Sequence, residues 1–257
     1  MYNSAHNGIL SVMSLNLRFG LAEDGPNNWV HRRHAYAPLL AAFPSDFFAF
    51  QEANDFQIDF LADLLPDHGY IGRRMPAPQR WQNNVIFHHK RWQCVHHEHF
   101  FLSSTPHKPS RFRGSRWPRQ CTLGVFRNRC RCLVVVNTHL DFAESVQVRS
   151  AHLIRKKMGR HDRKGPSVLM GDFNTIPGSA CYEVFTSPPD RQRCLRNAFP
   201  PPYTGTHHGF DGGEEGDPID WVLYRGALTV RRACVITERF GGIFPSDHYP
   251  LVVRFES

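Results

Sequence analysis

Short β-rich apolar runs recur along the whole chain, and most of them end in a polar residue of a kind that binds metals or phosphate. The runs lie at 9–17, 46–51, 84–89, 120–126, 132–139, 168–170, 219–224, 228–237 and 251–255. Their length and their β-branched and aromatic content are typical of strands. Helical patterns at 29–43, 56–65 and 143–158 lie between some of them. This alternation predicts an α/β fold with mixed sheets, and the helix-free stretch 84–139 predicts hairpins.

The length of the chain predicts one domain over residues 1–257. With 257 residues, of which 41% are hydrophobic, the chain can bury a sizeable core. Two Pro-rich segments, 103–118 and 187–217, lack a regular pattern and are interpreted as long loops. No apolar run approaches the length of a membrane span. The first ten residues lack the pattern of a secretory signal, which favours a cytoplasmic location.

The charge balance favours a phosphorylated or polyanionic partner. Lys and Arg number 31 against 23 Asp and Glu, a formal net charge of +8. A solvated basic surface is the alternative interpretation. Seven cysteines without framework spacing are interpreted as reduced residues of a reducing compartment. The His-rich stretches around 88–89 and 96–99 are interpreted as surface histidines, and no protein partner is indicated.

Polar residues follow the predicted strands at the positions where an α/β scaffold collects its functional groups. They are Asn16, Glu52, His139, Asp172, Asn174, Asp220, Asp247 and His248. Carboxylate and amide oxygens are the ligands preferred by Mg²⁺, with Mn²⁺ as the alternative, whereas zinc favours His and Cys. A divalent ion among carboxylates, with imidazoles nearby, is suited to the attack of water on a phosphoester.

The neighbours Asp247 and His248 point to opposite faces if their segment is extended. His248 therefore needs an orienting carboxylate from another part of the chain. Asp220, at the start of a predicted strand, is the best candidate for this partner. Asp247 remains available for the metal or its water ligands.

A series of motifs resembles the endonuclease/exonuclease/phosphatase superfamily, which has the deoxyribonuclease I-like fold. The motifs occur in the order of that family and span residues 14–252. They are SLNLR at 14–18, FQE at 50–52, NVIF at 84–87, NTHL at 137–140, GDFN at 171–174, IDWVL at 219–223 and SDHYPL at 246–251. The resemblance implies a four-layer α/β/β/α sandwich of two mixed β-sheets with helices on the outer faces. It also implies a Mg²⁺-dependent phosphoesterase.

The resemblance assigns roles on the metal side of the site. Glu52 matches the metal-binding glutamate of the family, and Asn16 lies beside it. Asp247 matches a second carboxylate on the metal side. Asp172 resembles the residue that activates or orients the attacking water, and Asn174 resembles one that holds the phosphate.

The resemblance also assigns roles on the phosphate side. His248, paired with Asp220, resembles the histidine that contacts the scissile phosphate. His139 matches family members in which a histidine stabilises the phosphate or protonates the leaving group. Abasic-site endonucleases typically carry tyrosine at that position. The IDWV segment differs from the WCDR segment of inositol-polyphosphate phosphatases, so both of these substrate classes are disfavoured.

Three further residues are predicted to bind substrate. Asn84 lies where some family members place a group that supports the histidine. Arg119 directly precedes a strand, where its guanidinium could reach a phosphate bidentately. His208 belongs to a THHGF segment at 206–210 that related bacterial members resemble.

The sequence leaves three functions open. Hydrolysis of a phosphodiester or phosphomonoester by in-line attack of water leads, with a small phosphorylated metabolite or a lipid headgroup as substrate. Hydrolysis of DNA or RNA is the alternative, for which the Arg- and aromatic-rich segment 111–119 is a candidate surface, although a solvated charged loop explains most of that segment equally well. A non-enzymatic binding protein with the same fold is the third hypothesis.

Overall fold

The computed structural model describes residues 8–161, 164–188 and 193–256. The prediction that the first ten residues carry no secretory signal falls largely on residues 1–7, which lie outside the described residues. Residues 189–192 of the predicted loop 187–217 also lie outside them. The helices are α1 (Trp29–Arg32), α2 (Tyr36–Ala42), α3 (Asp55–Leu64), α4 (Glu144–Gly159) and α5 (Ala180–Thr186), with 3₁₀ turns at Gly25–Asn27 and Arg33–Ala35.

The strands form two six-stranded mixed sheets. In chain order they are β1 (Ile9–Asn16), β2 (Phe47–Ala53), β3 (His68–Ile71), β4 (Asn83–His89), β5 (Gln93–Phe101), β6 (Gln120–Asn128), β7 (Arg131–His139), β8 (Ser167–Asp172), β9 (Arg196–Asn197), β10 (Asp220–Arg225), β11 (Thr229–Val235) and β12 (Leu251–Glu256). The first sheet has the order β11-β12-β1-β2-β4-β3, and the second has the order β5-β6-β7-β8-β10-β9. Within these sheets β1 pairs with β2 and β7 with β8 in parallel, and the other pairs are antiparallel.

Three apolar cores define four layers. Alternate residues of a strand point to opposite faces, so Val12 of β1 lies in the core between the sheets and Met13 packs against the helices. The helices α1 to α3 cover the first sheet through Trp29, Tyr36 and Ile58. The helices α4 and α5 cover the second sheet. The predicted α/β/β/α sandwich of two mixed sheets is therefore confirmed.

Two local predictions differ from the structure. The predicted helix at 29–43 is interrupted by the 3₁₀ turn Arg33–Ala35. Pro38 lacks the N–H that a continuous helix would bond to the carbonyl of His34. Between 84 and 139, β5, β6 and β7 form the predicted antiparallel neighbours, but β4 belongs to the other sheet.

Buried amides connect the two sheets near the edge where the polar strand ends meet. Asn137 of β7 donates to the carbonyl oxygens of Phe50 (2.9 Å) and Val85 (2.8 Å) in the first sheet. Gln51 donates in turn to Asn137 Oδ1 at 2.8 Å. These bonds satisfy polar groups that burial would otherwise leave unpaired, and they fix the relative position of the sheets.

All seven cysteines are free. Among the described residues, no helix is long and apolar enough to cross a membrane.

Candidate active site

The strand register of the second sheet places three predicted site residues side by side. His139 pairs with Asp172 in the parallel β7–β8 ladder, and Asp220 pairs with Asp172 in the antiparallel β10–β8 ladder. Gly171 makes this close approach possible. A Cβ at this position would lie 1.9 Å from the Thr138 carbonyl oxygen, and its φ is +147°. Glycine is the residue that tolerates such a position.

The first sheet adds Asn16 and Glu52 to the same cluster. A register shift between Phe50 and Ala53 marks a bulge at the end of β2, and Glu52 has a φ of +58°. Such backbone strain in a residue other than glycine is concentrated at functional sites. Asn16 Nδ2 donates to Asp172 Oδ2 at 2.9 Å and lies 3.4 Å from Glu52 Oε1. The other Glu52 oxygen accepts from the Phe19 N–H at 2.6 Å.

Asp220 and His248 form a buried pair, with 2.8 Å between Asp220 Oδ2 and His248 Nδ1. The other ring nitrogen of His248 lies 3.9 Å from Asp172 Oδ2. Burial alone would lower the pKa of His248, but the carboxylates of Asp220, Asp172 and Asp247 raise it to about 10. His248 is therefore an imidazolium at neutral pH.

Asp172 lies at the centre of the cluster. Burial and the nearby charge of Asp220 raise the pKa of Asp172 to about 7, although His248, Asn16 and the Asn174 N–H act in the opposite direction. A carboxyl group with a pKa near neutrality can both accept and release a proton at working pH.

Arg119 fixes the tautomer of His139. Its Nη1 lies 3.1 Å from His139 Nδ1, and because a guanidinium only donates, Nδ1 must accept. The hydrogen of the neutral ring is then on Nε2, which lies 3.3 Å from Asp172 Oδ2. Burial, the Arg119 charge and the His248 charge hold the pKa of His139 well below its ordinary value. His139 is thus a neutral hydrogen-bond donor.

Asp247 lies on the rim of the cluster with two residues that the sequence analysis did not select. Its Oδ2 is 3.6 Å from Arg18 Nε and 3.9 Å from His207 Nε2. The His207 ring lies 4.8 Å from the His248 ring, centroid to centroid. Arg18 is part of the SLNLR motif, and its place in that motif could have identified it as a site residue.

A buried arginine anchors the segment that carries Asp247 and His248. The Arg32 guanidinium donates to the carbonyl oxygens of Pro245 (2.7 Å), Leu17 (2.7 Å), Arg18 (2.9 Å) and Asn27 (3.0 Å). The Tyr36 hydroxyl donates to the Pro245 carbonyl at 2.9 Å. The sequence analysis assigned Arg32 no role, since an arginine on a helix usually faces solvent.

The remaining predicted residues have different environments. Asn174 Nδ2 donates to the Leu140 carbonyl at 2.9 Å. Asn84 is buried, and its amide donates to the Gln120 carbonyl at 2.7 Å. His208 stacks on Tyr249 with centroids 4.0 Å apart, and neither ring nitrogen has a hydrogen-bond partner among the described residues. Its neighbour His207 is therefore the histidine of this segment that faces the cluster.

A cleft of about 520 Å³ opens beside Glu52 and His139. Its lining includes arginines and aromatic side chains: Arg18, Arg80, Arg119, Trp81, Trp117 and Phe142. Asp141 shapes one wall, because its Oδ2 accepts from the Ser115 hydroxyl and the Arg116 N–H, both at 2.8 Å. These bonds anchor the loop 103–118, which contains no helix or strand, as predicted.

The donor set fits a divalent cation. Carboxylate oxygens of Glu52 and Asp172 meet around the amide of Asn16, and hard oxygen donors of this kind suit Mg²⁺. Asp247 lies beside His207 and His248 on the rim of the cluster. Asp220 Oδ1 is buried without a hydrogen-bond partner among the described residues. A bound cation would offset the charge of these crowded carboxylates and lower the pKa of Asp172.

Comparisons with known proteins agree with the fold. The Endonuclease/Exonuclease/phosphatase family model matches residues 13–248. A family protein from Bacteroides thetaiotaomicron is 26% identical, with a TM-score of 0.86 over 96% of this chain and 97% of that one. A mannosyl-6-phosphatase from the same organism is also 26% identical, with a TM-score of 0.84 over 96% and 99% of the chains.

The human nocturnin catalytic domain shares the fold at 20% identity, with a TM-score of 0.75 over 98% of this chain and 94% of that one. The predicted family resemblance is thereby confirmed. The chain belongs to the endonuclease/exonuclease/phosphatase family and is an enzyme that hydrolyses phosphoester bonds.

Proposed function

We propose that the protein is a Mg²⁺-dependent hydrolase of small phosphoesters, in which water attacks phosphorus in line with the leaving oxygen. The observation that carries the proposal is the convergence of Glu52, Asp172 and the Asp220–His248 pair at one edge of both sheets. The reaction needs carboxylates that bind a metal ion and accept a proton from water. It also needs a donor such as an imidazolium for a phosphate oxygen.

Glu52, Asn16 and Asp247 would hold the metal ion, with Mn²⁺ able to replace Mg²⁺. The bound ion supplies positive charge that polarises the phosphate. Phe19 contributes by fixing the Glu52 carboxylate through its backbone N–H. Arg18 holds Asp247 from the solvent side.

Asp172 would take the proton from the attacking water. With the cation bound, the Asp172 carboxyl group would be ionised, while burial and the charge of Asp220 act to keep it basic. The His248 imidazolium would donate from Nε2 to a phosphate oxygen, while Asp220 holds Nδ1. The low pKa of His139 favours hydrogen-bond donation from Nε2 to the phosphate over protonation of the leaving group. Asn174 would donate its second amide hydrogen to the phosphate.

The cleft favours a small substrate with a cyclic group. Trp117 and Phe142 are 53% and 58% exposed and both line the cleft, and apolar side chains exposed together at one cleft mark a ligand-binding surface. An apolar ring face can stack on a sugar or a base, while Arg119 and Arg18 balance the phosphate charge. The similarity to a mannosyl-6-phosphatase supports a sugar phosphate.

Hydrolysis of a polynucleotide is the second candidate. Three exposed arginines, Arg111, Arg113 and Arg116, lie in the loop that forms one wall of the cleft. A cationic rim of this kind can follow a phosphate backbone.

The seven free cysteines support the additional proposal of a reducing, cytoplasmic location.

The test is hydrolysis of a substrate panel with Mg²⁺, Mn²⁺ or EDTA at two salt concentrations. The panel contains hexose 6-phosphates, p-nitrophenyl phosphate, bis-p-nitrophenyl phosphate, single- and double-stranded DNA, and RNA. We expect EDTA-sensitive turnover of small esters with little dependence on salt. Turnover confined to polynucleotides, with log affinity falling by about 0.7–0.9 per phosphate contact for each unit of log salt, would establish the nuclease instead.

A further inference from the structure

A second cluster of metal-ligating side chains lies outside the catalytic cleft, on the outer face of the second sheet. His96 and Glu98 are two residues apart on the edge strand β5 and therefore point to the same side. His161 follows the end of α4, which packs over this face. The cluster joins an edge strand to the end of the helix that covers its sheet.

The three side chains converge on one point. His96 Nε2 and His161 Nε2 each lie 3.6 Å from Glu98 Oε1, and the three ligand atoms all lie within 4.8 Å of one another. A separation of 3.6 Å is longer than a hydrogen bond. It is close to the separation of two ligands on one tetrahedral zinc ion. Zn–N bonds of about 2.0–2.1 Å and Zn–O bonds of about 2.0–2.2 Å place ligand atoms about 3.3–3.5 Å apart.

The environment of the cluster supports a bound ion. His161 Nε2 is buried and has no hydrogen-bond partner among the described residues. Lys157 binds the other Glu98 oxygen, Oε2, which leaves Oε1 directed between the histidines. Burial alone would raise the pKa of Glu98, but Lys157 and the two histidines outweigh it and hold the pKa below its ordinary value. The carboxylate is therefore charged at neutral pH.

We propose that His96 Nε2, Glu98 Oε1 and His161 Nε2 bind one divalent transition-metal ion of the Zn²⁺ type, with water in the fourth tetrahedral position. Two imidazoles and one carboxylate suit zinc and disfavour Mg²⁺, which prefers oxygen donors. The ion would fasten the edge strand β5 to the end of α4. This site is separate from the catalytic one and does not depend on the proposed function.

The test is a titration of EDTA-treated, dialysed protein with Co²⁺, which reports tetrahedral coordination by its visible absorption. Excess Mg²⁺ is present throughout to occupy the oxygen-rich catalytic centre. The wild type should bind one equivalent of Co²⁺ with tetrahedral absorption, and Zn²⁺ should abolish that absorption. The variants H96Q, E98Q and H161Q should each lose it.

Two control variants separate this site from other histidines. His97 is exposed and lies on the opposite face of β5, so H97Q should keep the full absorption. H248Q should also keep it, because His248 belongs to the catalytic cluster. Zn²⁺ should raise the Tm of H97Q more than that of H96Q, since binding to the native state stabilises it.

Three results would overturn the proposal. They are absence of tetrahedral absorption in the wild type, its persistence in both H96Q and H161Q, or its loss in H248Q. His96 is 47% exposed, so H96Q should fold, and circular dichroism of each variant verifies this.

Discussion

Replacement of Arg32 by methionine should destabilise the protein and reduce catalysis together. Arg32 is fully buried, and its guanidinium donates to four backbone carbonyls, one of them that of Pro245. Pro245 immediately precedes the Ser246-Asp247-His248 segment. Methionine keeps much of the packing against Trp29 but removes every donor.

The magnitude follows from the lost hydrogen bonds. A bond from a charged donor contributes about 1.5–3 kcal/mol, and a buried carbonyl left unsatisfied costs about 1–3 kcal/mol. Removing the guanidinium also removes the cost of burying its charge, so the terms do not simply add. We expect a loss of about 3–5 kcal/mol, on the order of two charged-donor hydrogen bonds, because water or remaining donors such as Tyr36 can satisfy some of the four carbonyls. A shift of His248 by about 1 Å would lower turnover by about 10²-fold.

Urea unfolding followed by tryptophan fluorescence measures the stability, and steady-state hydrolysis measures turnover. Y36F, which loses one bond to the Pro245 carbonyl, should cost about 1 kcal/mol. R33M removes the same charge from an exposed position in the next residue and should stay within about 0.5 kcal/mol of the wild type. If R32M matched R33M in stability and in turnover, Arg32 would not anchor this segment.

Three further results are expected. D172N should fold normally and lose at least about 10²–10⁴-fold in turnover, as measured by steady-state hydrolysis; near-normal turnover would exclude Asp172 as the base. The activity losses of D220A and H248A should be strongly non-additive in a double-mutant cycle, whereas additive losses would separate the pair. In EDTA, the wild type should have a larger free energy of unfolding than H248Q, because the folded state raises the pKa of His248 to about 10. This difference should be fully present below about pH 6.5 and should be lost as the pH rises towards 10. Urea unfolding across that pH range measures this difference, and a constant difference would contradict the assigned pKa.

The central strands could be predicted because both of their faces are buried. The run at 168–170 is apolar at every position, since Val168 and Met170 face the inner core and Leu169 faces α4. The edge strand β5 has no such pattern, because much of its surface is exposed and histidines occupy it. The short strand β3, at an edge of the first sheet, has too few residues to show a pattern.

The site residues that lie at strand ends could be predicted from the sequence. Asp172 ends one apolar strand and Asp220 begins another, so each carboxylate could be assigned to a strand end from the local sequence. Residues that act across distant segments gave no such signal. His161 lies far from His96 in sequence, and only the packing of α4 on β5 brings them together.

The same limit applies to loops. His207 and His208 are adjacent, and the sequence analysis selected His208, whereas His207 is the ring that lies beside Asp247 and His248. The aromatic contacts of His208 with Tyr249 and Phe244 explain this difference, because they draw that ring away from the carboxylates.

The most direct test of the central claim is the rate of small-phosphoester hydrolysis as a function of free Mg²⁺, for the wild type and E52Q. We predict no turnover in EDTA, saturable activation of the wild type, and a midpoint for E52Q at least about tenfold higher, equal to about 1.4 kcal/mol of lost metal binding. Wild-type turnover that EDTA leaves unchanged, or equal midpoints for the two proteins, would contradict a metal-dependent hydrolysis centred on Glu52.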